Sequence, residues 1–304
     1  MRIGIMIGEV RGPATADDLR AQAAAADGLA AVWSAQALGW DALTALVLAA
    51  GQTPTAELGT AVVPVRQRHP LTLAGQALSA QAATGNRLTL GIGAGIGAML
   101  TGMYGLAADR PVAYLREYLS VLRPLLRGEQ VEHHGEMITA VGTAAIPGTE
   151  PPPVLLAALG ERMLRLAGEA ADGTVTWMAG RRTLETHVVP LITAAAASPP
   201  RIVAGLPVTV TADVDDARER IARYYGMAAR VPEYRATLDR EGVAGPGDVA
   251  LAGDESAVAR QLGLLAEAGV TDFAAAPFGT VAEQARTVRL LRAVGAPGVP
   301  DNRV

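Results

Sequence analysis

The sequence predicts an α/β fold: a single (β/α)8 TIM barrel over residues 1–304, with insertions after helix 4 and between strands 7 and 8. Three observations predict it. Short apolar runs rich in β-branched residues alternate with helix-period runs almost from end to end, as βαβ units and a parallel sheet require. About eight such pairs can be counted, the number that closes a parallel barrel. The length of 304 residues suits one such barrel, and no linker or shift in composition divides the chain.

The strand runs, in order, are RIGIMI, AAVWSA, ELGTAVV, RLTLGIG, PVLLAAL, GTVTWM, RIVAGLPVTVT and DFAAAPF. Glu9 and Arg11 follow the first run without a small-residue cleavage site, so it reads as a strand, not a secretory signal, and a cytoplasmic location is expected. TADDLRAQAAAADGL begins at Thr15 as N-cap, with Asp18 at capping-box spacing and Gly28 as its stop. DALTALVLAAG follows the same grammar. In YLREYLSVLRPLLRGE, Leu115, Leu119, Leu122 and Leu126 form one stripe, which should cover the outside of the sheet. From Glu129, EQVEHHGEMITAVGTAAIPGTEPPP reads as a short hairpin and a Pro-rich return. Between Asp213 and Glu267, three helical stretches surround AGPGD before the last strand.

Composition removes several kinds of chemistry. There is no cysteine, and all 26 basic residues are arginine. Disulfides, thiolate nucleophiles, Schiff bases and P-loops are therefore excluded, and any anion must be held by Arg, a helix dipole or backbone amides. The net charge of −4 is spread along the chain with no basic run, which argues against nucleic acid. Apolar runs are broken well before the roughly 20 residues needed to cross a bilayer, so no membrane partner is expected.

In a parallel barrel, chemistry belongs at the C-terminal strand ends. Those segments are GEVRG, QALGWD, PVRQRHP, GAGIGAML, GERMLR, AGRR, TADVDD and GTVAEQ. The glycine ladder Gly91, Gly93, Gly95 and Gly97 reads equally as a tight turn or as a backbone that a ligand can approach. His133 and His134 are adjacent on a strand and point to opposite faces, so they form no metal site; none is expected elsewhere. His187 lies on a helix flank with no partner pattern.

His-Pro at 69–70, Asn-Arg-Leu at 86–88, Gly-Ile-Gly at 91–93, Arg-Glu-Tyr at 116–118 and Ala-Asp-Gly at 171–173 recur in a joint order over nearly the whole chain. In that order the sequence resembles the bacterial-luciferase-like superfamily, and more narrowly its coenzyme F420-dependent oxidoreductases. The resemblance implies a flavin or deazaflavin ring at the strand ends, backed by a non-prolyl cis peptide joining Ala61 to Val62, with Val63 next to it. It implies ring contacts from Gly93, Ala94 and Gly95. The cofactor phosphate would sit on Ala158, Leu159, Gly160, Glu161, Arg162 and Met163, where the amides of Glu161 to Met163 face outward. A second clamp would come from Trp177, Met178, Ala179, Gly180 and Arg181.

The chain departs from the family at two places. Alcohol-oxidising relatives carry Asp-His after the second strand, whereas this chain has Gln36 and Ala37. An acid and an Asn follow the strand-four glycines in those relatives, and here Ile96 and Met99 do. Glucose-6-phosphate oxidation is therefore not expected, because it needs a positioned base and more charge. An apolar pocket of Met6, Trp33, Trp40, Ile96, Met99, Met103, Trp177 and Met178 is expected, with Gln36, His69 and Tyr104 as catalytic candidates. For His69 a structural role outweighs a catalytic one. The expected activity is an F420H2-dependent reductase acting on an activated C=C or C=N bond of a small, largely apolar metabolite, in a homodimer. The alternatives are an FMN-dependent monooxygenase and a non-catalytic flavin- or deazaflavin-binding protein.

Overall fold

The structure, a computed structural model, describes residues 1–295; residues 296–304, which the single-domain reading includes, lie outside the described residues. Eight parallel strands form the barrel: β1 Arg2–Ile7, β2 Ala31–Ser34, β3 Glu57–Thr60, β4 Leu88–Gly93, β5 Val154–Ala157, β6 Gly173–Trp177, β7 Arg201–Val210 and β8 Asp272–Pro277. Each pairs with its neighbours in chain order, and β8 pairs back to β1, so the sheet has no open edge. All eight sequence runs became strands. The third is interrupted: past β3 comes a cis peptide between Ala61 and Val62, as the resemblance implied, and then Val63–Pro64 pairs with the end of β4.

Local chemistry explains the helix starts. Thr15 and Asp18 make the reciprocal capping box at the head of Ala16–Ala24, and the Asp41 side chain caps Ala42–Ala49. In Pro111–Leu126, Leu115, Leu119, Leu122 and Leu126 are all buried, as their spacing requires. Arg87 donates to the carbonyls of Thr84, Thr53, Ala56 and Ala50, which ties the entry of β4 to two earlier turns.

Both insertions are present. Val131–His134 and Thr139–Gly142 form an antiparallel hairpin. Glu117 anchors it by accepting from the amides of Met137 and Ile138, with His133 Nε2 at 3.2 Å. His134 points the other way, into solvent, and the described residues contain no metal-ligating cluster. Between β7 and β8 lie the helices Val214–Tyr224, Pro232–Glu241 and Glu255–Glu267. The short strand Leu251–Gly253, parallel to the end of β7, was not expected; three residues are too few to show a period.

Strand alternation divides the core in two. Ile3, Ile5, Ile7, Leu90, Ile92 and Leu156 pack outward against the helices, while Met6, Trp33, Leu155, Val203, Ala274 and Ala276 fill the barrel. The N-terminal end is closed by charge. Arg201 makes a two-pronged bond to Asp272 (3.0 and 2.6 Å) and reaches Glu57 at 2.6 Å. Glu57 also accepts from Thr89 at 2.5 Å and from Arg2 at 2.7 Å. Above this layer lies the fully buried indole of Trp33, whose ring centroid is 5.6 Å from the Arg201 guanidinium carbon. The indole occupies the space over Gly59, where a Cβ would fall 2.1 Å from its ring.

The last turn of the barrel carries a pH prediction. Burial pushes the Glu283 carboxyl up, but hydrogen bonds from Arg220 and from the Thr280 amide outweigh it and hold its pKa at about 2. A depressed carboxyl contributes stability above its ordinary value near 4.5 and loses it as pH falls toward 2. A Glu283→Gln variant is expected to be less stable than the parent at neutral pH, with the gap closing in acid. Urea titrations across that range check it, and a pH-independent gap would contradict it.

Candidate active site

Above Trp33 the inward positions become small. Ala35, Ala61, Val62 and Ala157 are half-buried at the open end of the barrel, with the large ring of Trp177 at its side. Val62, Gly93 and Ala157 meet there: a Cβ on Gly93 would lie 2.9 Å from Val62 Cγ2 and 3.2 Å from the Ala157 Cβ. They form a flat apolar floor. Gly95, at φ +84°, turns the chain outward into the helix Gly97–Tyr104. Ile96 and Met99 are half-buried there, and Met103 and Tyr104 are exposed.

The remaining pocket expectations are corrected by side-chain direction. Met6 and Trp33 are core of the barrel interior, while Val63, Ala158, Met178 and Ala179 are buried in the layer between strands and helices. Met178 adopts φ +59° as the chain leaves β6, which leaves Trp177 at the mouth and buries Met178 behind it.

The three catalytic candidates separate clearly. Gln36 belongs to the mouth: its amide N–H reaches the carbonyl of Val62 at 3.4 Å, and its Oε1 accepts from Arg68 at 3.1 Å. Arg68 is fixed in turn by Asp41 at 2.5 Å, so the Gln36 side-chain amide is oriented through a charged relay that the sequence reading missed. His69 is exposed and both of its ring nitrogens are occupied. Nδ1 accepts from the Leu71 amide as a helix N-cap, and Nε2 donates to the Thr139 carbonyl at 2.9 Å. That corrects the catalytic reading to an anchor for the hairpin. Tyr104 stands at the exposed end of its helix.

The two expected anion clamps also differ. At Gly160 the helix Glu161–Ala170 has no side-chain cap, and a Cβ on Gly160 would meet nothing within 4 Å. The Met163 amide donates to the Gly160 carbonyl at 3.0 Å, which leaves Glu161 and Arg162 as the open donors. Glu161 pairs with Arg165, and Arg162 has no ion pair among the described residues. The second clamp is already filled. The Glu241 carboxylate accepts from the amides of Arg182 at 3.0 Å and Thr183 at 2.8 Å, and Arg181 pairs with Glu185. Gly180 lets the carboxylate come close, since a Cβ would lie 2.5 Å from the Glu241 carboxyl carbon and would push that side chain away. His187, behind β5, gives Nε2 to the Leu159 carbonyl at 2.9 Å, and burial lowers its pKa.

Past the ends of β1 and β2 runs a cleft of about 710 Å³, lined by Glu9, Gly12, Ala37, Trp40, Asp41 and Tyr224. Glu9 leaves β1 and accepts from the Ala37 amide at 2.7 Å. A Cβ on Gly39 would lie 2.1 Å from its Oε1. The only sequence signal for Glu9 was its place in GEVRG, directly after a strand.

Comparison with known proteins agrees with this architecture. The luciferase-like monooxygenase family matches residues 1–296. A putative coenzyme F420-dependent oxidoreductase of Mycobacterium tuberculosis is 31% identical over 188 residues, covering 57% of this chain and 54% of that protein; the chain thus spans about half the length of this relative. Among solved structures, an F420-dependent secondary alcohol dehydrogenase in complex with an F420-acetone adduct superposes with a TM-score of 0.79 at 18% identity, covering 97% of this chain and 99% of the other. The oxygenating constituent of 3,6-diketocamphane monooxygenase from Pseudomonas putida, in complex with FMN, gives 0.77 at 18% identity, with 98% and 99% covered. A closed barrel with a small-residue floor at its C-terminal mouth and a match over almost its full length place the chain in the luciferase-like monooxygenase family.

Proposed function

We propose that this protein is an F420H2-dependent reductase that delivers hydride to an activated C=C or C=N bond of a small, largely apolar molecule. One observation carries it: a flat apolar floor at Ala61, Val62, Gly93 and Ala157 has uncapped helix amides at Glu161 and Arg162 as anion donors and no histidine base beside it. The residues fit a planar ring with an acidic tail, and such a group, when bound, supplies the hydride. Gln36, fixed through Arg68 and Asp41, would donate a hydrogen bond toward the ring or substrate. Glu9, at the strand end after β1 and held by the Ala37 amide, would serve as the carboxyl that relays a proton to the reduced substrate. The Ala and Trp177 surfaces would exclude water from the floor. A homodimer in the cytoplasm acting on a small molecule completes the proposal, and no described helix is long and apolar enough to cross a membrane.

Titration of the purified protein with F420 and with FMN, followed by fluorescence, tests the cofactor. Tight FMN binding with oxygen uptake by the reduced complex would overturn the choice in favour of a monooxygenase. The Arg162 guanidinium, without an ion pair among the described residues, would join the Glu161 and Arg162 amides on the acidic tail, and Arg162→Ala is expected to weaken F420 binding by about 1.5–3 kcal/mol, the value of hydrogen bonds to a charged group; unchanged binding would leave the tail to the amides alone. Glu9→Gln is expected to lower turnover of cyclohexenone, an activated C=C probe, by about a hundredfold while the cofactor Kd holds. Equal turnover would remove Glu9 from the proton path.

A further inference from the structure

The 710 Å³ cleft past β1 and β2 contains a carboxylate oxygen with nothing bound to it. Glu9 Oε2 accepts from the Ala37 amide at 2.7 Å. Its Oε1, lying over Gly39, accepts no hydrogen bond among the described residues and is not closed off from solvent. Asp41, on the same cleft, is fully engaged: Oδ2 pairs with Arg68, and Oδ1 accepts from the Thr44 amide and hydroxyl. No arginine or histidine lines the cleft, and Arg11, two residues after Glu9, is taken up by Gln284 Oε1. The cleft therefore holds an unmatched negative group in a half-buried setting, where an opposite charge is worth more than in open water.

The walls indicate what kind of ligand suits it. Trp40 and Tyr224 line the cleft together with Pro13, Ala14 and Leu38. Trp40 is fixed by its Nε1, which donates to the Ala14 carbonyl at 2.8 Å. Tyr224 is buttressed edge to face by Tyr225 and Phe278, with centroids 4.8 and 5.6 Å away. Leu38 and Tyr224 are exposed, so the cleft is open to a ligand from solvent. Aromatic rings attract a cation and the free carboxylate oxygen accepts its N–H, while the apolar walls cover its body. An anion would be repelled by Glu9, and a neutral molecule would gain only the walls. Ala35 on the floor, Gln36 at the mouth and Ala37 on the cleft are consecutive, so floor and cleft share one stretch of chain.

We propose that this cleft binds an organic cation, and that the substrate is a protonated C=N compound with an apolar body. The proposal rests on the reductase reading and narrows it from C=C or C=N bonds to C=N. In the reaction, hydride from the reduced cofactor adds to the iminium carbon, and the π pair of the C=N bond moves onto nitrogen and cancels its charge. The product is an amine, the cofactor is oxidised by two electrons, and no further proton is consumed. An imine that arrives neutral first takes a proton on nitrogen from Glu9, which leaves the carboxylate facing the cation so formed. An enone would offer the cleft no charge to hold.

The test uses the purified full chain and two probes of matched shape, 2-phenylethylammonium and 2-phenylethanol, at neutral pH and constant ionic strength. Binding is read by calorimetry and by quenching of tryptophan fluorescence. The ammonium is expected to bind the parent roughly ten- to a hundredfold more tightly than the alcohol, the range for hydrogen bonds to a charged group. Glu9→Gln is expected to remove that preference. Tyr224→Leu, a change at an exposed position, should reduce it several-fold while leaving the alcohol's affinity in place. Equal binding of both probes by the parent, no binding of either, or a preference that survives Glu9→Gln would overturn the proposal. With F420H2, 3,4-dihydroisoquinoline is expected to be reduced with a kcat/KM roughly tenfold or more above that of cyclohexenone, the worth of one such bond; the reverse order would overturn the narrowing to C=N. Failure of the protein to bind F420 would sink the reductase reading while leaving the cation preference standing, and F420 binding without that preference would do the opposite.

Discussion

An Arg201→Ala variant is expected to lose about 3–5 kcal/mol of folding stability, the range for removing one partner of a buried ion pair. Asp272, 3% exposed, and Glu57 would then share the N-terminal charged layer with only Arg2 among the described cations, which stands 3.5 Å from Asp272 and 2.7 Å from Glu57. The guanidinium also lies under the indole of Trp33, so its loss removes packing as well as charge. Equilibrium unfolding in urea gives the number. A loss below about 1 kcal/mol, the range of exposed pairs, would mean that the charged layer is hydrated enough to screen the acids. The double change Arg201→Met with Asp272→Leu should recover much of the deficit, because Glu57 keeps Arg2 and the uncompensated aspartate is gone.

Trp33→Ala is expected to cost a similar 3–5 kcal/mol, the range for emptying a buried aromatic site. No neighbour can grow into the gap easily, since Gly59 on the next strand and Ala61 just past its end carry almost no side chain. The two effects should not add: Trp33 and Arg201 are in contact, and the double variant measures their coupling. A Trp33→Ala protein that keeps parental stability would show that the indole is not the wedge between the charged layer and the mouth. Cofactor binding should also weaken in Trp33→Ala, because the residues above it lose their support.

The strands were legible because a barrel buries both faces of its sheet. That makes each strand a continuous apolar run, and the helix caps at Thr15 and Asp41 announce themselves by side-chain chemistry. Leu251–Gly253 was not legible, since its position depends on pairing with residues some forty positions earlier, Val208 to Val210. The site was half legible. Which segments reach the mouth follows from the strand order, but which side chains face it depends on a period of two, and one residue separates Trp177 at the mouth from Met178 behind it. Glu241 shows the deeper gap. Nothing near it in sequence says that its carboxylate occupies the amides of Arg182 and Thr183, 59 and 58 residues away. The segment Trp177 to Arg181 reads as a second anion clamp, and its neighbouring amides serve this internal carboxylate instead.

The charged layer under Trp33 makes the barrel a blind well. Traffic can pass only through the upper rim, so whatever lies deepest must arrive first and depart last. A ring resting on Ala61 and Val62, as proposed, would impose an ordered sequence: a smaller reactant would stack above it, and product would have to clear the rim before the spent ring could be exchanged.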